Sequence, residues 1–193
     1  MLRQALRRVG LGPAFLLVVT LLAPGHAVAD IELFGGNPLL DAVKSNNETQ
    51  VRVLLARGEN AETEDFDGRR PLIYAASLGN ADIAEALIKH KVNIDHRDKL
   101  GNSALFYAAD AAYTDIVEML LEAGARPDTE NRQGLTPLMA AATQGHVPVV
   151  QALLARGADA TRRDYTGRTA LMWAEWSRKT AVVAALRQAG VRE

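Results

Sequence analysis

The chain has 193 residues, of which 48% are apolar, with 15 Gly, 7 Pro, no Cys and a formal net charge of −1. That length suits one domain with a processed end, and the apolar content argues against disorder. The missing cysteines exclude disulfides, thiolate zinc sites, iron–sulfur clusters and Cys nucleophiles, and near-neutrality gives no reason to expect nucleic acid held by bulk charge.

The first element in chain order is expected to be removed. Arg3, Arg7 and Arg8 precede an apolar run from Val9 to Ala23, which ends in Pro24-Gly25 and then Ala27-Val28-Ala29. A basic start, an apolar middle and small residues before the cut describe a secretory signal peptide over 1–29, with Asp30 as the new N-terminus. The alternative is an uncleaved membrane anchor, but Gly10, Gly12, Pro13 and Pro24 shorten a span that needs about 20 apolar residues, and no stable membrane insertion is expected after cleavage. Arg7-Arg8 raises twin-arginine export, but no Phe-Leu-Lys follows. No Cys marks the site, which excludes a lipoprotein anchor. Loss of three arginines lowers the net charge from −1 to −4.

From Asp30 onward the chain repeats itself. Gly68, Gly101, Gly134 and Gly167 stand 33 residues apart. The same step joins Leu39, Leu72, Leu105, Leu138 and Leu171; then Ala42, Ala75, Ala108, Ala141 and Ala174; then Leu54, Leu87, Leu120, Leu153 and Leu186. Three columns of one residue type across five units define a repeat array, with units at about 34–65, 66–98, 99–131, 132–164 and 165–193.

Each unit predicts two short helices and a hairpin loop. In the fourth, Thr136 is placed to cap the first helix and Pro137 fits its first position. Asn37-Pro38 and Thr169-Ala170 occupy equivalent places. Gly79 and Gly145 end first helices, where a left-handed residue is expected; Asn46, Ala112 and Arg178 share that column. The second helix, typified by Val147 to Leu154, has apolar residues at three- and four-residue spacing. Gly157 closes it, and an Asp-x-x-Gly tip follows, as in Asp65 to Gly68 and Asp164 to Gly167. One unit cannot bury its own apolar face, so the units must stack into an all-α solenoid of about five helix–turn–helix repeats joined by β-hairpin loops.

The run Thr136-Pro137-Leu138, Ala141-Ala142, Gly145-His146, Val150, Leu153-Leu154, Gly157-Ala158-Asp159 resembles the ankyrin repeat, and the likeness extends over roughly 37–190. The family's His after Pro-Leu is replaced by Leu40, Ile73, Phe106, Met139 and Met172, which loses a Thr–His hydrogen bond but leaves a side chain able to pack. Polar residues fall where an end repeat has no neighbour: Gln50 in a column otherwise Ile or Val, Glu175 in a column of Ala, Arg187 in a column of Leu and Ile. An array of this kind is expected to be a monomer.

Catalysis has little to use. A nucleophile needs an oriented base, and after cleavage the only imidazoles are His90, His96 and His146. His146 holds the inter-helix position that ankyrin repeats commonly fill with His, which implies a structural role. His90 ends a helix and His96 lies in the following loop, so both are expected to face solvent. The rival reading is a ligand- or metal-handling periplasmic protein, with His90 and His96 and either Asp95 or Asp98 as the metal-holding set, although the six-residue separation fixes no coordination geometry. No phosphate-binding glycine loop appears. The acids from Glu59 to Asp67 lack the spacing of a Ca²⁺ loop and predict a solvated hairpin. No enzyme activity and no cofactor are expected.

The resemblance implies binding of a protein partner, since ankyrin arrays recognise proteins through their hairpin tips and concave first-helix surface. Carried over by position, the tip residues are Phe66, Asp67 and Arg69 in one unit, then Lys99, Leu100 and Asn102. Arg132, Gln133 and Leu135 follow, and Tyr165, Thr166 and Arg168 complete the set. First-helix ends add Leu78, Ala111 and Trp176. Several are large and apolar where exposure favours polar residues, and aromatic and Arg anchors dominate interface energies. Charge is uneven: acids gather near Glu59 to Asp67, whereas Arg156, Arg162, Arg163, Arg168, Arg178 and Lys179 crowd the C-terminal end. The expectation is an exported protein of a bacterial envelope, periplasmic, acting by protein–protein recognition. Its likeness to exported bacterial ankyrin proteins adds an association with oxidative-stress defence.

Overall fold

Five helix pairs succeed one another in a computed structural model that describes residues 37–192. The expected signal peptide at 1–29 lies outside the described residues. The first helices are α1 (Pro38–Lys44), α3 (Pro71–Leu78), α5 (Ala104–Asp110), α7 (Pro137–Gln144) and α9 (Ala170–Trp176). The second helices are α2 (Glu48–Ala56), α4 (Ala81–Lys89), α6 (Thr114–Glu122), α8 (Val147–Ala155) and α10 (Thr180–Gln188). Each is 7 to 9 residues long, too short to hold in water alone. Packing supplies what length does not.

The expected capping is seen. Thr136 Oγ1 accepts from the Met139 amide at 3.3 Å, Thr169 Oγ1 from Met172 at 3.3 Å, and Asn37 Oδ1 from Leu40 at 2.8 Å. Pro71 and Pro137 begin α3 and α7, where a missing N–H costs no helix bond. Asn47 and Asn80 cap the second helices α2 and α4 in the same way, at 3.0 and 2.8 Å to Gln50 and Ile83.

Two layers result: the first helices stack on one another, and the second helices stack behind them. The repeated columns are the core between them. Leu39, Leu72, Leu105, Leu138 and Leu171 are at most 3% exposed, and Ala75, Ala108, Ala141 and Ala174 are wholly buried. The side chains that replace the family's His do pack: Leu40, Ile73, Phe106 and Met139 are buried, and Met172 is half-buried. Polar substitution at the end is matched within the structure, because Arg187 Nη2 lies 2.8 Å from Glu175 Oε1. Gln50 is exposed where Ile83, Ile116, Val149 and Val182 are buried.

The loops between repeats are tight turns rather than extended hairpins. Each tip closes with two backbone bonds, such as Asp98 N to Asn102 O at 3.0 Å and Gly101 N to Asp98 O at 2.9 Å. Among the described residues the only bridge of sheet type is Arg97 with Ser103. Side chains also tie repeats together: Nε2 of His146 meets the Asp110 carbonyl at 3.0 Å, and Asn80 Nδ2 donates to Asn46 Oδ1 at 2.6 Å. His146 is thus a structural link, as its position implies.

Candidate interaction surface

The tips form a ladder. The Lys99 amide donates to Asp67 O at 2.8 Å, Arg132 to Leu100 O at 3.0 Å, and Tyr165 to Gln133 O at 3.1 Å. Each tip is therefore bonded to the one before it, and the residues between these anchors share one rim. Of the six large apolar side chains left exposed among the described residues, five belong to this rim or to first-helix ends. They are Phe66 (96% exposed), Leu78, Leu100, Tyr165 and Trp176; only Val53, on α2, lies elsewhere.

Three of the four tips are held by an acid with a second, aromatic partner that the Asp-x-x-Gly pattern alone does not show, and the other by Asn131. Asp98 Oδ1 accepts from the Leu100 and Asn102 amides, both at 2.9 Å, while its Oδ2 accepts the Tyr107 hydroxyl at 2.6 Å. Asp164 repeats the pattern, with the Thr166 and Arg168 amides on Oδ1 and Trp173 Nε1 on Oδ2 at 2.9 Å. Asp65 does so with the Asp67 and Arg69 amides and the Tyr74 hydroxyl. In the fourth repeat the aromatic column holds Ala140, which has no donor, and the acid column holds Asn131, whose amide donates instead to Asn102 Oδ1 at 3.0 Å. Two 33-residue columns that change together, acid and aromatic nine residues apart, were the available signal.

These contacts set the charge states. Burial alone raises the Asp65 carboxyl, but the Tyr74 hydroxyl, the Arg69 and Asp67 amides and Lys44 outweigh it and hold the group at about 2. Asp164 is lowered for the same reasons: burial opposes, and Thr166, the Arg168 amide and Trp173 prevail. Burial is also the main cause that raises the Tyr107 hydroxyl, with Asp98 adding to it.

The predicted site residues sort into two kinds. Phe66, Lys99, Leu100, Arg132, Gln133 and Tyr165 stand exposed on the rim, as does Asp67, whose backbone N–H and C=O both serve the ladder and turn. Leu78 and Trp176 are exposed on helix ends, as is Ala111 just beyond α5. Others are committed internally. Arg69 spans two repeats, with Nε 3.4 Å from Asp98 Oδ2, Nη2 donating to Tyr107 Oη at 3.0 Å, and its guanidinium 5.2 Å from the Tyr107 ring. Asn102 is buried rather than exposed, because it bridges Tyr107 and Asn131. Leu135 and Arg168 fall between the two kinds: both are half-buried, Leu135 still lines a groove on the rim, and the Arg168 guanidinium lies over Trp173 at 5.1 Å without a carboxylate partner.

Two expectations of exposure need correction. His96 is only partly exposed, since its Nε2 meets the carbonyl of Gly68, at the tip that opens the same unit, at 2.8 Å. The acidic stretch from Glu59 to Asp67 is not freely solvated throughout: Glu62 and Glu64 pair with Arg70, and Asp65 holds its tip. His90 is exposed, as expected, with Nδ1 near the Ala86 carbonyl at 2.9 Å. The donors of the rival metal reading are engaged separately, Asp95 by Arg126 and Asp98 by Tyr107 and Arg69. Among the described residues no three His, Asp or Glu groups converge as ligands, and no helix is long and apolar enough to cross a membrane.

Stacked two-helix units with bonded tips define a helical repeat scaffold for recognition. The family model for ankyrin repeats in three copies matches residues 39–131 and 124–192, and the chain belongs to the ankyrin-repeat family. Ankyrin repeats generally mediate protein–protein interaction and their proteins are typically non-catalytic. A comparison with curated proteins finds no match.

Proposed function

We propose that this chain is an exported, monomeric ankyrin-repeat protein of a bacterial envelope that works in the periplasm by holding another protein across its tips and first-helix side. It acts by binding and not by catalysis. The observation that supports this reading is the segregation of exposed apolar side chains: five of six lie on that side. Scattered apolar residues are ordinary on any surface, whereas gathering on one rim marks an interface. Export is supported by the basic start, the apolar run and Ala27-Val28-Ala29. A role in stress defence has only the family likeness behind it.

Cross-linking and affinity capture in the native envelope test the binding. Phe66→Ala, Tyr165→Ala and Trp176→Ala together are expected to abolish capture while the fold persists, because truncating a hot-spot anchor costs about 2 kcal/mol or more. Changes at Glu85, Glu118 and Gln151 on second helices are expected to leave capture intact. The reverse pattern would place the interface on the opposite side. N-terminal sequencing of envelope protein tests export: Asp30 is the expected first residue, and an intact Met1 in cytoplasmic material would end that part of the proposal.

A further inference from the structure

Both tryptophans of the chain stand together in the fifth repeat, with ring centroids 5.4 Å apart and edge to face. Trp173 lines a groove of about 380 Å³ between the tips that open the fourth and fifth repeats, along with Leu135, Arg132 and Tyr165. The Arg168 guanidinium lies beside it, 5.1 Å from the Trp173 ring and 5.9 Å from Trp176, and donates to Thr166 Oγ1 at 3.1 Å.

Two features decide what chemistry suits the groove. Among the described residues, neither the Arg132 nor the Arg168 guanidinium has a carboxylate within 4.0 Å. Arg69, which shares a repeat column with Arg168, is by contrast taken up by Asp98 and Tyr107. The second feature is Asp164, the acid in the groove lining. It is 6% exposed, and its two oxygens accept from the Thr166 amide and hydroxyl, the Arg168 amide and Trp173 Nε1. Its lone pairs are committed to those donors. The groove thus has one guanidinium in its lining, Arg132, and a second, Arg168, against the Trp173 ring at its edge, neither with a carboxylate partner.

We infer that this groove receives an extended, acidic segment of the partner protein in which Asp or Glu flanks an apolar side chain. The inference rests on the tip-side binding proposed above and specifies the partner's chemistry. The apolar side chain lies against Leu135, Tyr165 and Trp173, and the carboxylates reach Arg132 and Arg168. Stacking on indole holds a guanidinium flat and oriented, and its fork then donates two parallel N–H bonds to a carboxylate. Single-stranded nucleic acid also favours aromatic and cationic surfaces. A long polyanion, however, meets the net negative charge of the whole chain, −4 after the expected cleavage, whereas a short peptide needs only local complementarity.

The test uses the full chain and its own reporters, because both tryptophans lie at the site and intrinsic fluorescence and the two indole N–H signals read it directly. The probes are a short synthetic peptide with acidic residues flanking one Phe, its Gln/Asn analogue, its Gly-for-Phe analogue, and oligo-dT. Trp176→Phe assigns the two indoles. The acidic Phe peptide is expected to shift both signals saturably, and each peptide analogue to bind about tenfold more weakly. Arg132→Gln with Arg168→Gln is expected to lose the same factor at an unchanged melting temperature. Equal binding of the Gln/Asn analogue, tighter binding of oligo-dT, or no saturable binding by any peptide would overturn the inference, and these outcomes need no variant. Native-partner capture separates the two readings. Capture that depends on Phe66 and Tyr165 but survives the double Arg change removes this inference alone; capture indifferent to every tip residue removes both.

Discussion

Trp173 Nε1 donates to one oxygen of Asp164 while the other oxygen holds the tip that begins the same repeat, so one buried carboxylate joins helix to hairpin. Asp98 with Tyr107 and Asp65 with Tyr74 do the same. Replacing Asp164 by Asn keeps an oxygen for the turn but aims an amide N–H at the Trp173 N–H. A buried donor left without an acceptor costs about 1–3 kcal/mol, and urea unfolding of Asp164→Asn is expected to show a loss in that range. Asp98→Asn is expected to lose a similar amount through Tyr107. A wild-type midpoint in either variant would mean that the acids serve only the turn.

Stability should fall steeply in acid. Asp65 is held at about 2, below its ordinary 3.8, and Asp164 is lowered as well. A carboxyl with a depressed folded value contributes stability that is present above its unfolded value and lost as pH falls through the folded one. Melting midpoints are therefore expected to be steady from neutral pH to about 4 and to drop between pH 4 and 2. Asp65→Asn is expected to begin lower and to fall less over that window. An acid limb parallel to wild type would exclude Asp65 as a contributor.

Gly101 and Gly167 share a repeat column and a backbone angle, φ 84° and 83°, yet meet different neighbours. A Cβ on Gly101 would lie 2.8 Å from the Arg132 backbone nitrogen, which is a rung of the tip ladder; one on Gly167 would meet nothing within 4 Å. Both Ala variants bear left-handed strain of about 1–2 kcal/mol. Gly101→Ala is expected to lose about 1–3 kcal/mol more, because crowding against backbone has no flexible side chain to relieve it. Equal losses in denaturant titrations would show that the ladder yields freely.

Four non-glycine residues occupy the left-handed region where other repeats use Gly: Asn46, Ala112 and Arg178 at φ 57°, 65° and 57°, and Lys91 at φ 56°. Ala112 shares its column with Gly79 and Gly145, and Lys91 with Gly58, Gly124, Gly157 and Gly190. Relief of strain competes with the greater unfolded-state freedom of Gly, and each of Ala112→Gly and Lys91→Gly is expected to gain about 0.5–1 kcal/mol. Thermal melts check this, and a lowered midpoint would show that entropy outweighs strain.

The array was legible because stacking imposes one register on every unit: Leu39, Ala42 and Leu54 recur at a fixed step since each must enter the same interlocking core. Caps such as Thr136 and the left-handed turn at Ala112 were legible for the same local reason. The site was only half visible. Position in the repeat places Phe66 and Tyr165 on the rim, but it does not reveal that the Arg69 guanidinium is consumed by Asp98 while that of Arg168 pairs with no carboxylate, because that depends on where long side chains reach across the stack. His96 was misjudged similarly: its bond runs to Gly68, 28 residues away, and no local pattern announces it.

The rungs Lys99 to Asp67, Arg132 to Leu100 and Tyr165 to Gln133 also make the rim a ruler. Adjacent tips share a bond, so their spacing is set by peptide geometry and not by side-chain choice. A partner that spans several tips must present its anchors at that pitch. Gain or loss of a whole 33-residue unit preserves every interval, whereas one extra residue in a tip throws the following rung out of step. Variation in reach therefore comes in quanta of one repeat, and variation in taste comes from the side chains between the marks.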